Sequence, residues 1–200
     1  FDESSHLLGC YSEAGDLLSS VAVPRGLWRS RGPLHRVGPV IYTVADDQRD
    51  VPLATVRDGV LALVDAPVAD APGVHGADGR RYLLELDRFT RVRIEVFEDD
   101  SSVSASELPL EGVVSARFLE ALEDGRFFIQ TERIGDDRSV TLAVHAFGPD
   151  GSLLASSDLP ENDYARWSVR LLCVDPEGAV WQAIPAQDRL KVRAFAQERQ

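Results

Sequence analysis

Phe147-Gly148-Pro149-Asp150-Gly151-Ser152-Leu153-Leu154-Ala155-Ser156-Ser157-Asp158-Leu159-Pro160 decides how this chain is read. It has the form of a strand end, a Pro-Asp-Gly turn, a second strand and a closing proline. Proline has no N–H to give to a ladder, so it suits the end of a strand. Gly151 supplies the positive φ that a tight hairpin turn needs. The unit recurs along the chain. Gly15-Asp16-Leu17-Leu18-Ser19-Ser20-Val21-Ala22-Val23-Pro24 matches Gly151 to Pro160 without a gap, and Tyr11 and Phe147 stand at the same distance ahead of the two glycines. Asp100-Ser101-Ser102-Val103-Ser104-Ala105-Ser106-Glu107-Leu108-Pro109 has the same length and the same Leu-Pro ending, with Phe97 ahead of it. Asp58-Gly59-Val60-Leu61-Ala62-Leu63-Val64-Asp65-Ala66-Pro67 is one residue shorter. A spacing of about 40–50 residues between copies is the mark of a repeat architecture.

Two further signatures run out of phase with the first. Glu123-Asp124-Gly125-Arg126-Phe127-Phe128-Ile129 is a turn followed by an apolar strand. Asp78-Gly79-Arg80-Arg81-Tyr82-Leu83-Leu84 and Pro176-Glu177-Gly178-Ala179-Val180-Trp181-Gln182 repeat it, and Val37-Gly38-Pro39-Val40-Ile41-Tyr42 is a weaker copy. Asp87-Arg88, Asp137-Arg138 and Asp188-Arg189 each precede a strand that ends in an aromatic: Phe97, Phe147 and Phe195. Each period thus holds four short strands joined by three hairpin turns, which is one blade of a β-propeller. The expected fold is all-β, a β-propeller of four-stranded antiparallel blades with about four to five blade units visible. The units run 6–24 (partial), 28–67, 72–109, 113–160 and 165–196 (partial), within residues 1–200 read as a single propeller domain or part of one. In the clearest blade, Val113–Leu122 is the innermost strand, followed outward by Arg126–Arg133, Val140–Phe147 and Ser152–Leu159. Only Ala116–Glu123 shows any helical periodicity, and the Asp124-Gly125 turn after it suits a strand hairpin better.

The Asp-Arg pair before a strand, the closing Phe and the following Asp-Gly-x-Leu resemble NHL-type repeats of six-bladed propellers. Phe147-Gly148-Pro149-Asp150-Gly151-Ser152-Leu153-Leu154 and Val174-Asp175-Pro176-Glu177-Gly178-Ala179-Val180-Trp181 carry the resemblance best. It implies fold more than function, because unrelated activities share propeller scaffolds. The first and last units lack strands, so their sheet edges are expected to pair within a larger polypeptide or with another subunit. The competing expectation is that Gly15–Pro24 pairs beside Leu190–Phe195 and closes a small ring.

The chain has 200 residues and a formal net charge of −12, with Lys191 its only lysine. Phosphate binding needs clustered positive charge, so nucleic acid and anionic membranes are poor partners. No apolar run approaches the roughly 20 residues of a membrane span, so no membrane insertion is expected. No methionine is present. Phe1 fits a position after a removed signal peptide, and an extracytoplasmic or secreted location is the expectation.

The candidate binding residues are Arg25, Arg29, Arg31 and Arg36, clustered where they can take an anionic ligand, together with His35 and His75 in loops facing a central channel. His145 reads as a packed histidine on a third strand. Cys10 and Cys173 are a possible disulfide or two buried thiols. Trp28, Trp167 and Trp181 read as core anchors. The carboxylate pairs Asp46/Asp47, Asp99/Asp100 and Asp136/Asp137 read as turn formers; adjacent carboxylates also suit Ca²⁺, but no Asp-x-Asp-x-Asp-Gly loop is present. No Gly-x-Ser-x-Gly or other catalytic signature occurs. The expected function is therefore a non-enzymatic scaffold for protein or peptide partners, with no cofactor and no catalytic residues. The alternative is a propeller hydrolase or lyase similar to the lactonases, built around a central divalent metal, with Ca²⁺ the candidate; Asn162 is the chain's single asparagine, a poor supply of amide ligands for such a centre.

Overall fold

A computed structural model describes residues 5–24, 34–45, 48–65, 71–87, 91–135, 138–159, 172–185 and 190–195. Every regular element among them is a β-strand. The fold is all-β and of β-propeller type, built from four-stranded antiparallel blades. The chain divides into two compact units, Phe1–Val74 and His75–Gln200.

The first unit opens with a hairpin of β1 (Ser5–Tyr11) and β2 (Leu17–Pro24), which pair only with each other. A complete blade follows: β3 (Leu34–Val37), β4 (Val40–Val44), β5 (Asp50–Arg57) and β6 (Val60–Leu63), in that spatial order. Leu8, Cys10 and Val21 of the hairpin pack on the buried Ala54, Val56 and Leu61 of the blade. The Ser19 hydroxyl donates to the Gly59 carbonyl at 2.6 Å and accepts from the Leu61 N–H at 3.0 Å. The hairpin therefore covers one face of this blade.

The second unit stacks three sheets. The first comprises β7 (Val74–His75, opening at the junction), β8 (Arg81–Leu86), β9 (Val92–Glu98) and β10 (Ser101–Leu108). The next comprises β11 (Val113–Ala121), β12 (Phe127–Ile134), β13 (Val140–Phe147) and β14 (Leu153–Leu159). The last has three strands, β15 (Leu172–Val174), β16 (Val180–Pro185) and β17 (Leu190–Phe195). Ala116–Glu123, the stretch with weak helical periodicity, falls almost wholly in strand β11. Among the described residues β17 pairs only with β16.

Phe127 to Thr131 are five consecutive buried residues, because β12 has a neighbour on both faces. On one face Tyr82 of the preceding blade stacks on Phe118 (4.9 Å) and meets Phe127 at a tilt (5.8 Å, 40°), and Phe127 stacks on Phe147 (5.2 Å). On the other, Phe128, Val144, Ala146 and Leu159 pack with Val180 of the last sheet. Outer strand β10 is exposed along most of its length.

Seven hairpins among the described residues share one turn. The N–H of its first residue donates to the carbonyl of the fifth, and the N–H of the fourth returns to the carbonyl of the first. They open at Ser12, Ala45, Gly76, Leu122, Gly135, Gly148 and Asp175. The fourth residue always has positive φ: glycine in five cases, Gln48 (58°) and Arg138 (66°) in two. Where all its residues are described, this is a type I turn continued by a left-handed residue. The Asp58-Gly59 and Asp99-Asp100 turns are different. Both central residues have positive φ, the mark of a two-residue type I′ turn. The copy at Asp58–Pro67 is the short one because its outer strand, Val60–Leu63, has 4 residues where β10 has 8; the same turn at Asp99-Asp100 precedes a full-length copy.

Phe97, Phe147 and Phe195 occupy equivalent places, each opposite the first residue of the second strand: Arg81, Phe127 and Val180. Equivalence of sequence position predicts burial of all three, but Phe147 alone is buried; Phe97 and Phe195 are half-buried. Phe97 has Arg81 rather than a ring across from it, with the guanidinium 5.4 Å from its centroid. Trp181, expected as a core anchor, is 39% exposed, because it lies on the face of β16 opposite to the packed Val180.

Phe147→Ala should therefore cost about 3–5 kcal/mol in urea unfolding, and Phe97→Ala clearly less. Equal losses would contradict the packing. The turn geometry generates opposite signs at equivalent positions. Arg138→Gly should stabilise, by about 1 kcal/mol, because it removes a left-handed non-glycine residue. Gly125→Ala should destabilise by at least that amount, since its φ is +80° and the new Cβ would lie 3.2 Å from Pro149. Two changes of the same sign would mean that the turn is not strained as described.

Candidate functional site

The short strand β3 places His35 directly opposite Tyr42 on β4, and the two rings stack at 5.5 Å with an interplanar angle of 13°. Asp50 begins β5, the next strand outward. Its carboxylate meets His35 Nε2 at 3.1 Å. The Asp50 side chain is fully buried and that of His35 only 7% exposed. Hairpin pairing is what brings the two together. The buried Asp50 carboxylate meets His35 there, and a polar group out of water is tolerated only with such partners. The pair and the stacked Tyr42 ring hold the imidazole in a fixed orientation.

The remaining candidates are not gathered here. Arg36 is exposed on β3 and donates from Nε to the Gly38 carbonyl at 2.7 Å. His75 is half-buried on β7. Both His35 and His75 thus lie on first strands of their blades, not in loops as their Gly- and Pro-rich surroundings suggested. Arg25, Arg29, Arg31, Trp28, Trp167 and the pairs Asp46/Asp47 and Asp136/Asp137 lie outside the described residues. Cys10 and Cys173 are free thiols, and burial pushes the Cys173 thiol up, with Asp175 adding to the shift.

The turn carboxylates are held in place by their own hairpins. Asp124 accepts from the Arg126 backbone N–H and Nε at 3.0 and 2.6 Å, which keeps its carboxyl below the usual range. Asp150 is held low by the Ser152 hydroxyl and N–H, and Asp175 by the indole N–H of Trp181 at 2.8 Å. Asp100 pairs with Arg81. Among the described residues no group of three or more His, Cys, Asp or Glu side chains is placed to hold a metal ion. Asp50 as the partner of His35 was missed in the sequence. It closes the charged run Asp46-Asp47-Gln48-Arg49-Asp50, which reads as solvated turn; the usable signal was its place as the first residue of an apolar strand.

His145 forms a second, buried polar cluster. Its ring is bonded to Thr131 Oγ1 at 2.8 Å and Ser156 Oγ at 2.7 Å, residues on the two flanking strands. Burial holds the imidazole down at about 4, with the positive charge of Arg133 acting the same way and Asp158 opposing. The unfolded chain takes up this proton near pH 6.5 and the folded one only near pH 4. The contribution to stability is thus complete above pH 6.5 and is lost as pH falls toward 4. It amounts to about 3 kcal/mol. In thermal unfolding followed from pH 7 to 4, His145→Gln should flatten the loss of Tm on acidification. An unchanged slope would remove His145 as its cause.

No protein-family model matches the chain, and no curated protein matches it either.

Proposed function

We propose that this chain is a non-enzymatic, propeller-type module that binds protein or peptide partners. The observation that carries the reading is the far face of the β1–β2 hairpin. Leu7, Tyr11 and Leu17 project there, and each is more than half exposed. Tyr11 and Leu17 lie opposite one another and close over Gly9, where a Cβ would fall 2.9 Å from the tyrosine ring. The three side chains form one apolar patch on a sheet whose opposite face is already packed. Such a patch marks an interaction site more often than a solvent surface. The His35–Asp50 pair adds a fixed polar group suited to recognition, and the likeness of the blade motifs to NHL-type repeats agrees with a scaffold role by analogy.

Selection of randomly sequenced displayed peptides on the immobilised protein tests the reading. Enrichment is expected, and a Leu7→Ser/Tyr11→Ser/Leu17→Ser variant should lose at least one enriched class. No enrichment over a denatured control would overturn the proposal. Stoichiometric divalent metal in the purified protein, with lactone hydrolysis that chelation abolishes, would replace it with the lactonase-like enzyme.

A further inference from the structure

We infer that a water molecule is bound in the layer between β12 and β16, donating to the side-chain oxygens of Gln130 and Gln182, and that it ties the last sheet to the blade beside it. Gln130 is 4% exposed and Gln182 1%. The Oε1 atom of each is buried and accepts no hydrogen bond. A buried carbonyl oxygen without a donor is uncommon in folded proteins, because it has lost its water and gained nothing in return.

Register puts both side chains in one layer. Successive side chains of a strand point to opposite faces. Gln130 shares its face with Phe128 and stands opposite Val144 of β13. Gln182 shares its face with Val180. Phe128, Val144 and Val180 belong to one apolar cluster, which fills the space between these two sheets. The glutamines therefore enter that layer from opposite sides. They also stand at neighbouring levels. Phe127 and Val180 hold equivalent places, each opposite the phenylalanine that closes the next strand. Counted from them, Gln182 is the third residue of its strand and Gln130 the fourth. The residues across from the two glutamines are Arg117, Val144, Leu172 and Arg193, all on described strands.

The chemistry selects the occupant. Both orphaned atoms are acceptors, so neither satisfies the other, and the group between them must donate twice. Water is the smallest species that does so, and its own oxygen can accept from a carboxamide N–H in return. Two polar partners are already enough to hold a buried water. A metal cation is disfavoured, because Arg117 brings positive charge to the same face beside Gln130.

Two measurements on the full chain test the inference. A high-resolution crystal structure should show a single spherical peak within hydrogen-bond distance, about 2.7–3.2 Å, of both oxygens. A direct amide–amide bond, a donor from another side chain, or no density between the two would each overturn it. The second measurement is urea unfolding of Gln130→Met, Gln182→Met and the double variant, which keep side-chain volume close to that of glutamine. Each single change should lower the midpoint, because the water loses a partner and the other oxygen is left unpaired. The double variant leaves no orphan, so its midpoint should lie no lower than that of the weaker single variant. Additive losses, or single variants that unfold like the unmodified protein, would overturn the bridge.

Discussion

The structure depends on one backbone constraint: the fourth residue of the recurrent hairpin turn must lie in the left-handed region. Glycine reaches it without cost, and five of the seven turns use it. The turn hands each strand back antiparallel to the last, at a fixed offset, and so sets the register in which side chains meet across the sheet. A one-residue slip would move every apolar side chain to the other face. Asp and Ser at the turns reinforce the geometry by accepting backbone N–H bonds, as Asp78, Asp124 and Asp150 do. The acidic character of the chain thus has a local structural origin in part, since many of its carboxylates are turn formers.

Register in turn creates the layered core. With register held, Phe127, Phe128 and Ile129 can be buried on both faces of one strand, because a blade has neighbours on each side. The aromatic series Phe118, Tyr82, Phe127 and Phe147 joins two blades, and Val144, Ala146 and Leu159 join the second of these to the third. Two polar groups buried among the blades are bonded to neighbours. The Tyr82 hydroxyl donates to Asp78 at 2.6 Å, and burial together with this bond raises its pKa. His145 is bridged by two hydroxyls and kept neutral. These groups belong to packing, and their perturbed titration is the consequence of burial.

The surfaces left over are those of incomplete blades. The β1–β2 hairpin buries one face and offers the other, and among the described residues β17 pairs on one side only. Such features have a common cause. A blade is stable as a four-stranded layer covered on both sides, so any strand or face short of that arrangement retains unspent pairing capacity. The His35–Asp50 pair lies elsewhere, inside a complete blade, and contributes orientation.

The sequence by itself determined the blade: four strands per repeat, their turns, and nearly every strand boundary from Val113 to Leu159. It could do so because positive-φ glycines, closing prolines and closing aromatics are local requirements, written at the positions they serve. It also placed His145 as a packed histidine, since apolar neighbours alternate with it. Only the tertiary structure decided which of three equivalent phenylalanines is buried, because burial depends on the residue across the strand: Phe127 for Phe147, Arg81 for Phe97. It likewise decided that Trp181 faces outward and that Asp50 meets His35, fifteen residues away in sequence. Contacts between residues on different strands are set by register and by the stacking of one sheet on the next, and neither is encoded in the neighbours of a single residue.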